Sequence, residues 1–228
     1  MPNPVIAELQ RAVRLRGGEP LLTWYGAGAR IELSVRTFAN WVDKTANLIE
    51  DLDAAGCTVA GIVSRDHPGS WMSLVWPLAA WQRDCTYTLS DGPADLVVTG
   101  PEHPAAVEGV VTIACSLHPL GLGLRTLPED VLDYTGEALA RPDAHWAVEV
   151  EADGAAWTQP GRSITHGDLA ALRPSSGRSL VQTSDAFGTL TAAVLGPLLG
   201  GGSSVLVDEP ADAERLESLC RSERAVLA

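Results

Sequence analysis

With 228 residues, 46% of them hydrophobic, the chain is long enough to bury a substantial core, as one large α/β domain or as two small lobes. Sixteen basic against 29 acidic side chains leave a formal charge of -13, which repels phosphodiester backbones and anionic lipid, and no basic run offsets it. The expected partners therefore include neither nucleic acid nor a membrane.

Leu21 to Tyr25 and Arg30 to Leu33 have strand composition and are joined by Gly26-Ala27-Gly28, which predicts a hairpin. Ser34 is placed to cap a following helix, in which Val35, Phe38, Val42, Ala46, Ile49 and Leu52 recur at helical steps. Lys44 falls on the polar side of that helix and reads as a surface lysine. Val59 to Val63 predicts a strand, Pro68 to Arg83 a helix kinked at Pro77, and Cys85 to Leu89 a strand. Core packing accounts for Trp71, Trp76 and Trp81 in that helix better than a ligand box does.

Asp95 to Thr99 and Val110 to Ala114 are uniform apolar runs of the kind buried in parallel sheets. Ser116 to Leu127 reads as a loop and Pro128 to Leu139 as a helix, with Glu129 and Asp130 in its first turn. Arg141-Pro142-Asp143 marks a seam between a first α/β lobe over residues 1–142, with an N-terminal helix and the hairpin, and a second over 143–228. In the second lobe, Trp146 to Val150 and Ala155 to Thr158 are predicted strands, and Thr165 to Leu172 a helix. Ser179 to Gln182 and Ser203 to Val207 are further predicted strands, separated by an apolar helix over Asp185 to Leu199 that breaks near Pro197. A helix over Ala211 to Cys220, with Ala213, Leu216, Leu219 and Cys220 inward, and a strand over Ala225 to Leu227 complete the chain.

Cys57, Cys85, Cys115 and Cys220 are dispersed, with no Cys-x-x-Cys pair, and read as small reduced core residues. His67, His103, His118, His145 and His166 form no metal-ligand spacing, so no metal site is expected. Met1 to Gln10 lacks the basic start and apolar stretch of a signal peptide, and no apolar run approaches the roughly 18 residues of a membrane span. A cytoplasmic protein is the expectation.

Gly201-Gly202-Ser203-Ser204-Val205 lacks the final glycine of a hydrolase elbow, and Gly121-Leu122-Gly123 lacks the third glycine of a dinucleotide fingerprint. Asp66-His67 stands at a strand end, where functional residues gather, although a helix-start loop also explains it. In Thr165-His166-Gly167-Asp168, Thr165 and Asp168 have capping-box spacing, which leaves His166 as either a satisfied helix-start histidine or a ligand contact. Between Trp157 and Leu169 a buried strand leads to that capped helix through Thr158-Gln159-Pro160-Gly161-Arg162-Ser163-Ile164, where an α/β protein often cradles phosphate.

Several stretches, in order, resemble the N-terminal part of the acyl-adenylate-forming superfamily of acyl-CoA synthetases, adenylation domains and luciferases. Leu33-Ser34 with the helix containing Trp41 to Leu48 resembles the opening helix, and Gly61-Ile62-Val63 through Leu89 the first βαβ unit. Ile164-Thr165-His166-Gly167-Asp168-Leu169 is similar to the Thr-His-x-Asn-Leu that follows the phosphate loop. Pro197 to Val207 and Glu223-Arg224-Ala225-Val226 resemble later family motifs. The resemblance implies two lobes of mostly parallel sheet flanked by helices. It also implies ATP, AMP or acyl-CoA as ligands, none of them required, and a vestigial nucleotide region at Arg162, Thr165 and His166.

Members bind ATP phosphates on a loop like Ser-Gly-Thr-Thr-Gly-x-Pro-Lys-Gly, where this chain has Thr158 to Ser163 with one glycine and no lysine. The family's adenine pocket, ribose-binding aspartate and lysine-bearing lid would lie beyond Ala228, and Lys44, the single lysine, matches neither family lysine. Losing even one charge-stabilising donor costs about 2.7 to 4 kcal/mol of transition-state stabilisation. The expectation is a degenerate, truncated relative without adenylation activity and without catalytic residues, acting as a binding or interaction module. The alternatives are a residual nucleotide- or acyl-CoA-binding enzyme completed by a protein partner, in which His166 matters, and a structural homodimer.

Overall fold

The computed structural model describes residues 1–53, 56–102 and 104–228; His103 lies outside them. Asn3 opens helix α1 (Pro4–Arg16) by accepting the Ile6 amide at 3.2 Å, with Pro4 at the first helical position, where its missing N–H costs nothing. Strands β1 (Pro20–Gly26) and β2 (Ala29–Ser34) form the expected hairpin around Ala27-Gly28, whose φ of 49° and 71° suit a two-residue turn. Ser34 caps α2 (Val35–Asp51), and of the predicted stripe, Val35, Phe38, Val42, Ala46 and Ile49 are fully buried, whereas Leu52 follows the last helical residue and is half-buried.

There follow β3 (Thr58–Gly61), the single turn α3 (Ile62–Asp66), α4 (Trp71–Gln82), β4 (Thr86–Thr88), β5 (Leu96–Thr99) and β6 (Val111–Ala114). Every residue of α4 is buried, which is why it could carry three tryptophans. Their indole N–H groups donate to the Pro119 carbonyl, the Cys115 sulfur and the Ala156 carbonyl, so they are satisfied core residues.

The helix expected over Pro128 to Leu139 is instead strand β7 (Val131–Asp133) leading into the short helix α5 (Tyr134–Leu139). Val131 and Leu132 pair with β6, and Asp133 caps α5 through the Gly136 amide at 2.7 Å. Trp146 to Val150 forms no strand: it touches the chain start by the lone bridge Pro2 to Glu149, and Trp146 is 91% exposed. An apolar run without a neighbouring strand has no ladder to join.

The connection after Trp157 also differs from the expectation. β8 (Ala155–Gln159) and β9 (Arg162–Thr165) are antiparallel partners joined by the two-residue turn Pro160-Gly161, with Gly161 at φ 73°. α6 (His166–Ala170), β10 (Arg178–Gln182) and α7 (Ala186–Leu190) come next. A π-turn over Thr191–Leu195 carries α7 into α8 (Gly196–Gly200), so the apolar helix runs past Pro197 rather than breaking there. β11 (Ser203–Val207), α9 (Ala213–Glu223) and β12 (Val226–Leu227) complete the order. Of the four residues expected inward on α9, only Leu219 is buried, in a small cluster with Leu180, Val205, Val207 and Ala225.

The strands form two mostly parallel sheets flanked by helices: β7-β6-β5-β3-β4-β8-β9, antiparallel only at β8–β9, and β12-β10-β11-β1-β2, antiparallel only at β1–β2. Neither sheet is confined to one side of residues 142/143, because the first hairpin pairs with β11 and the 155–165 hairpin pairs with β4. One core cluster runs from Val5 to Leu206 and joins both sheets.

Candidate functional site

In the larger sheet β3 is followed by β4 on one side, and β5, on β3's other side, is followed by β6 farther out. Successive connections leave in opposite directions at the carboxyl ends of β3 and β5, the kind of place where open α/β sheets hold ligands. A cleft of about 470 Å³ lies there, lined by Ile62, Arg65, Asp66, His67, Thr99 and Glu102 among others. His67 Nε2 sits 2.9 Å from Glu102 Oε2. Gly100 makes room for that pair, since a Cβ there would lie 2.8 Å from His67 Nε2 and 2.9 Å from Glu102 Oε2. The Arg65 guanidinium is held by Asp66 at 3.0 Å and Asp91 at 3.4 Å, so the cleft carries little net positive charge.

The loop beyond His67 reaches the second sheet. The Gly69 carbonyl accepts from Trp24 Nε1 at 2.9 Å, and a Cβ on Gly69 would lie 1.9 Å from Asp208 Oδ1 and 2.2 Å from Thr183 Oγ1. Thr183 and Asp208 follow β10 and β11, so the carboxyl ends of the two sheets meet at this glycine. Burial pushes the Asp208 carboxyl above its usual range, against the lowering effects of hydrogen bonds from Thr183 and Trp24 and of the His67 charge. Apart from Asp66-His67, noted and also explicable as a loop, nothing local marked these residues. The signal that finds them is strand order, which emerges only on folding.

The sequence-predicted residues lie elsewhere and do not converge. Arg162 begins β9 opposite Gln159, near the carboxyl end of β8, with its guanidinium 4.6 Å from the centre of the Phe187 ring. Thr165 ends β9 opposite Ala155, at the amino end, and both arms of its capping box with Asp168 are made. His166 is 1% exposed, with Nδ1 3.5 Å from Asn3 Nδ2 and Nε2 3.9 Å from Asp84 Oδ1. Burial pushes its pKa down, which favours the neutral ring. A strand rises about 3.3 Å per residue, so β9 holds Arg162 and His166 at opposite ends of the sheet. Lys44 is half-buried rather than a free surface lysine, and its Nζ donates to the Arg141 carbonyl at 2.6 Å.

No family model matches the chain. A Mycobacterium tuberculosis (strain H37Rv) TIGR03089 family protein is 35% identical over 125 residues, covering 50% of this chain and 51% of that protein. The chain thus matches about half the length of this curated relative. Among solved structures, a Brucella canis acyl-CoA synthetase matches 99% of this chain and 46% of its own at a TM-score of 0.76 and 21% identity. The anthranilate CoA ligase AuaEII, in complex with anthranoyl-AMP, matches 97% of this chain and 49% of its own at a TM-score of 0.73 and 14% identity. The chain has the α/β fold of the N-terminal part of acyl-CoA synthetases.

Proposed function

We propose that this chain is a binding or interaction module on an acyl-CoA synthetase fold and does not itself form acyl-adenylates. The observation that carries the reading is the β8–β9 hairpin, which occupies the segment directly ahead of the capped helix at Thr165. A phosphate cradle needs successive backbone N–H groups turned outward together with a cation. Here Thr158 faces Ser163 and Gln159 faces Arg162 in a ladder, and the turn holds a proline without an N–H and one glycine. Arg162 stacks on Phe187, and the chain's one lysine is engaged by the Arg141 carbonyl. Each absent donor weakens stabilisation of the charge that develops as pyrophosphate leaves, by about 2.7 to 4 kcal/mol.

Binding on this reading uses the cleft at the carboxyl ends of β3 and β5, which the bonded His67–Glu102 pair lines. Carboxylate-dependent exchange of labelled pyrophosphate into ATP by the purified chain tests it. No exchange above the protein-free blank is expected; exchange that grows with protein concentration would overturn the reading.

A further inference from the structure

We propose that Cys57 and Cys85 are a reversible disulfide site, closed by a hydroperoxide and reopened by thiols. This stands independently of the function proposed above. The two cysteines are 28 positions apart in the chain, yet their Sγ atoms approach to 2.9 Å, inside the ordinary van der Waals separation of two sulfurs. The pairing of β3 with β4 places them there. Thr58 faces Thr86 in a parallel register, so Cys57 and Cys85 each stand one residue before that pair, and the Thr86 amide donates to the Cys57 carbonyl at 2.9 Å. Small side chains filling a core would meet apolar neighbours at contact distance; here two sulfurs face each other within bonding reach of a small shift.

The bond from Cys57 and, to a lesser extent, the Arg83 guanidinium favour the Cys85 thiolate, whereas the Cys57 thiol is pushed up by its contact with Cys85 and by burial. Cys85 is fully buried and Cys57 is 8% exposed, so a small peroxide fits the site better than a bulky oxidant. The Cys85 thiolate attacks one peroxide oxygen, the O–O bond breaks, and the alcohol leaves with a proton, giving a sulfenic acid on Cys85. Cys57 then loses its proton and attacks that sulfur, and the S–O bond breaks to release water. In total two thiols and one hydroperoxide give one disulfide, one alcohol and one water; with hydrogen peroxide the alcohol is a second water.

The test treats the purified full chain with hydrogen peroxide, blocks remaining thiols with N-ethylmaleimide, and maps the peptides by mass spectrometry. The expected result is loss of two of the four alkylatable thiols per chain, a single linked peptide pair containing Cys57 and Cys85, and full recovery with dithiothreitol. Cys115, buried beneath Trp76, stays alkylatable after denaturation. Cys57→Ser and Cys85→Ser should each abolish the linked pair. If either variant fails to fold, the wild-type map alone decides. Finding Cys57 and Cys85 both alkylatable under conditions that oxidise Cys220, or Cys57 linked to a different cysteine, would overturn the proposal.

Discussion

Glu223 accepts hydrogen bonds from the Tyr25 hydroxyl at 2.6 Å, Arg30 Nε at 2.8 Å and Arg178 Nη2 at 2.6 Å, with its side chain only 10% exposed. It ties the end of α9 to β1, β2 and β10. The hydrogen bond from Arg30 is the main reason its carboxyl is pulled down to about 2. A carboxyl whose folded pKa lies below its unfolded value of 4.5 contributes stability above that pH and loses the contribution as pH falls towards 2. Glu223→Gln should therefore lower stability at pH 7 by roughly 1–2 kcal/mol and flatten the acid limb between pH 4.5 and 2, as read from urea unfolding across that range. In the sequence this residue was legible only as part of a motif resemblance. Its partners lie up to 198 positions away, so nothing local disclosed its structural work.

Pro77 and Pro197 stand past the first turn of helical runs, and the same device keeps each run continuous. Proline has no N–H for the carbonyl four residues back, which is Ser73 for Pro77 and Ala193 for Pro197. The Ser73 carbonyl accepts from Ser64 Oγ at 2.9 Å and the Ala193 carbonyl from Ser204 Oγ at 2.6 Å, both in buried surroundings. Proline chemistry read along the chain predicts a break near Pro197, because the hydroxyl that serves the carbonyl comes from a different element, β11. Ser204→Ala leaves a buried carbonyl with less than its due and should cost about 1–3 kcal/mol in denaturant midpoint measurements, whereas exposed Ser218→Ala on α9 should be neutral. Elements whose signals are local were legible: the β1–β2 turn, the Ser34 and Thr165 caps, and the buried stripe of α2. β7, by contrast, is a strand because β6 offers it a ladder, whereas 146–150 meets only the isolated Pro2–Glu149 bridge among the described residues.

The carboxyl ends of the two sheets meet at Gly69, whose carbonyl accepts from Trp24 Nε1 of β1 at 2.9 Å and where a Cβ would lie 1.9 Å from Asp208 Oδ1. Any side chain there would collide with the half-buried Asp208 carboxylate and the Thr183 hydroxyl, and making room would break the 3.0 Å bond between them. Gly69→Ala should thus lower the melting temperature, by the equivalent of about 1–3 kcal/mol, through overpacking. Gly18→Ala, where a Cβ meets no neighbour within 4 Å, is the control and should be neutral. An unchanged melting temperature in the Gly69 variant would show that the sheets part here without cost. Among the described residues no helix is long and apolar enough to cross a membrane, and the core cluster spans both sheets.

Capping, turn chemistry and apolar periodicity act over three to seven residues, so hairpin β1–β2, helix α2, the parallel-strand runs and the family likeness could all be read along the chain. Sheet order, the hairpin that stands ahead of Thr165, the meeting of His67 with Glu102 and of Cys57 with Cys85 are contacts between distant positions. Such contacts depend on which strand finds which neighbour when the apolar surface is buried as a whole. That choice is made by packing across the entire core and leaves no trace in any local window.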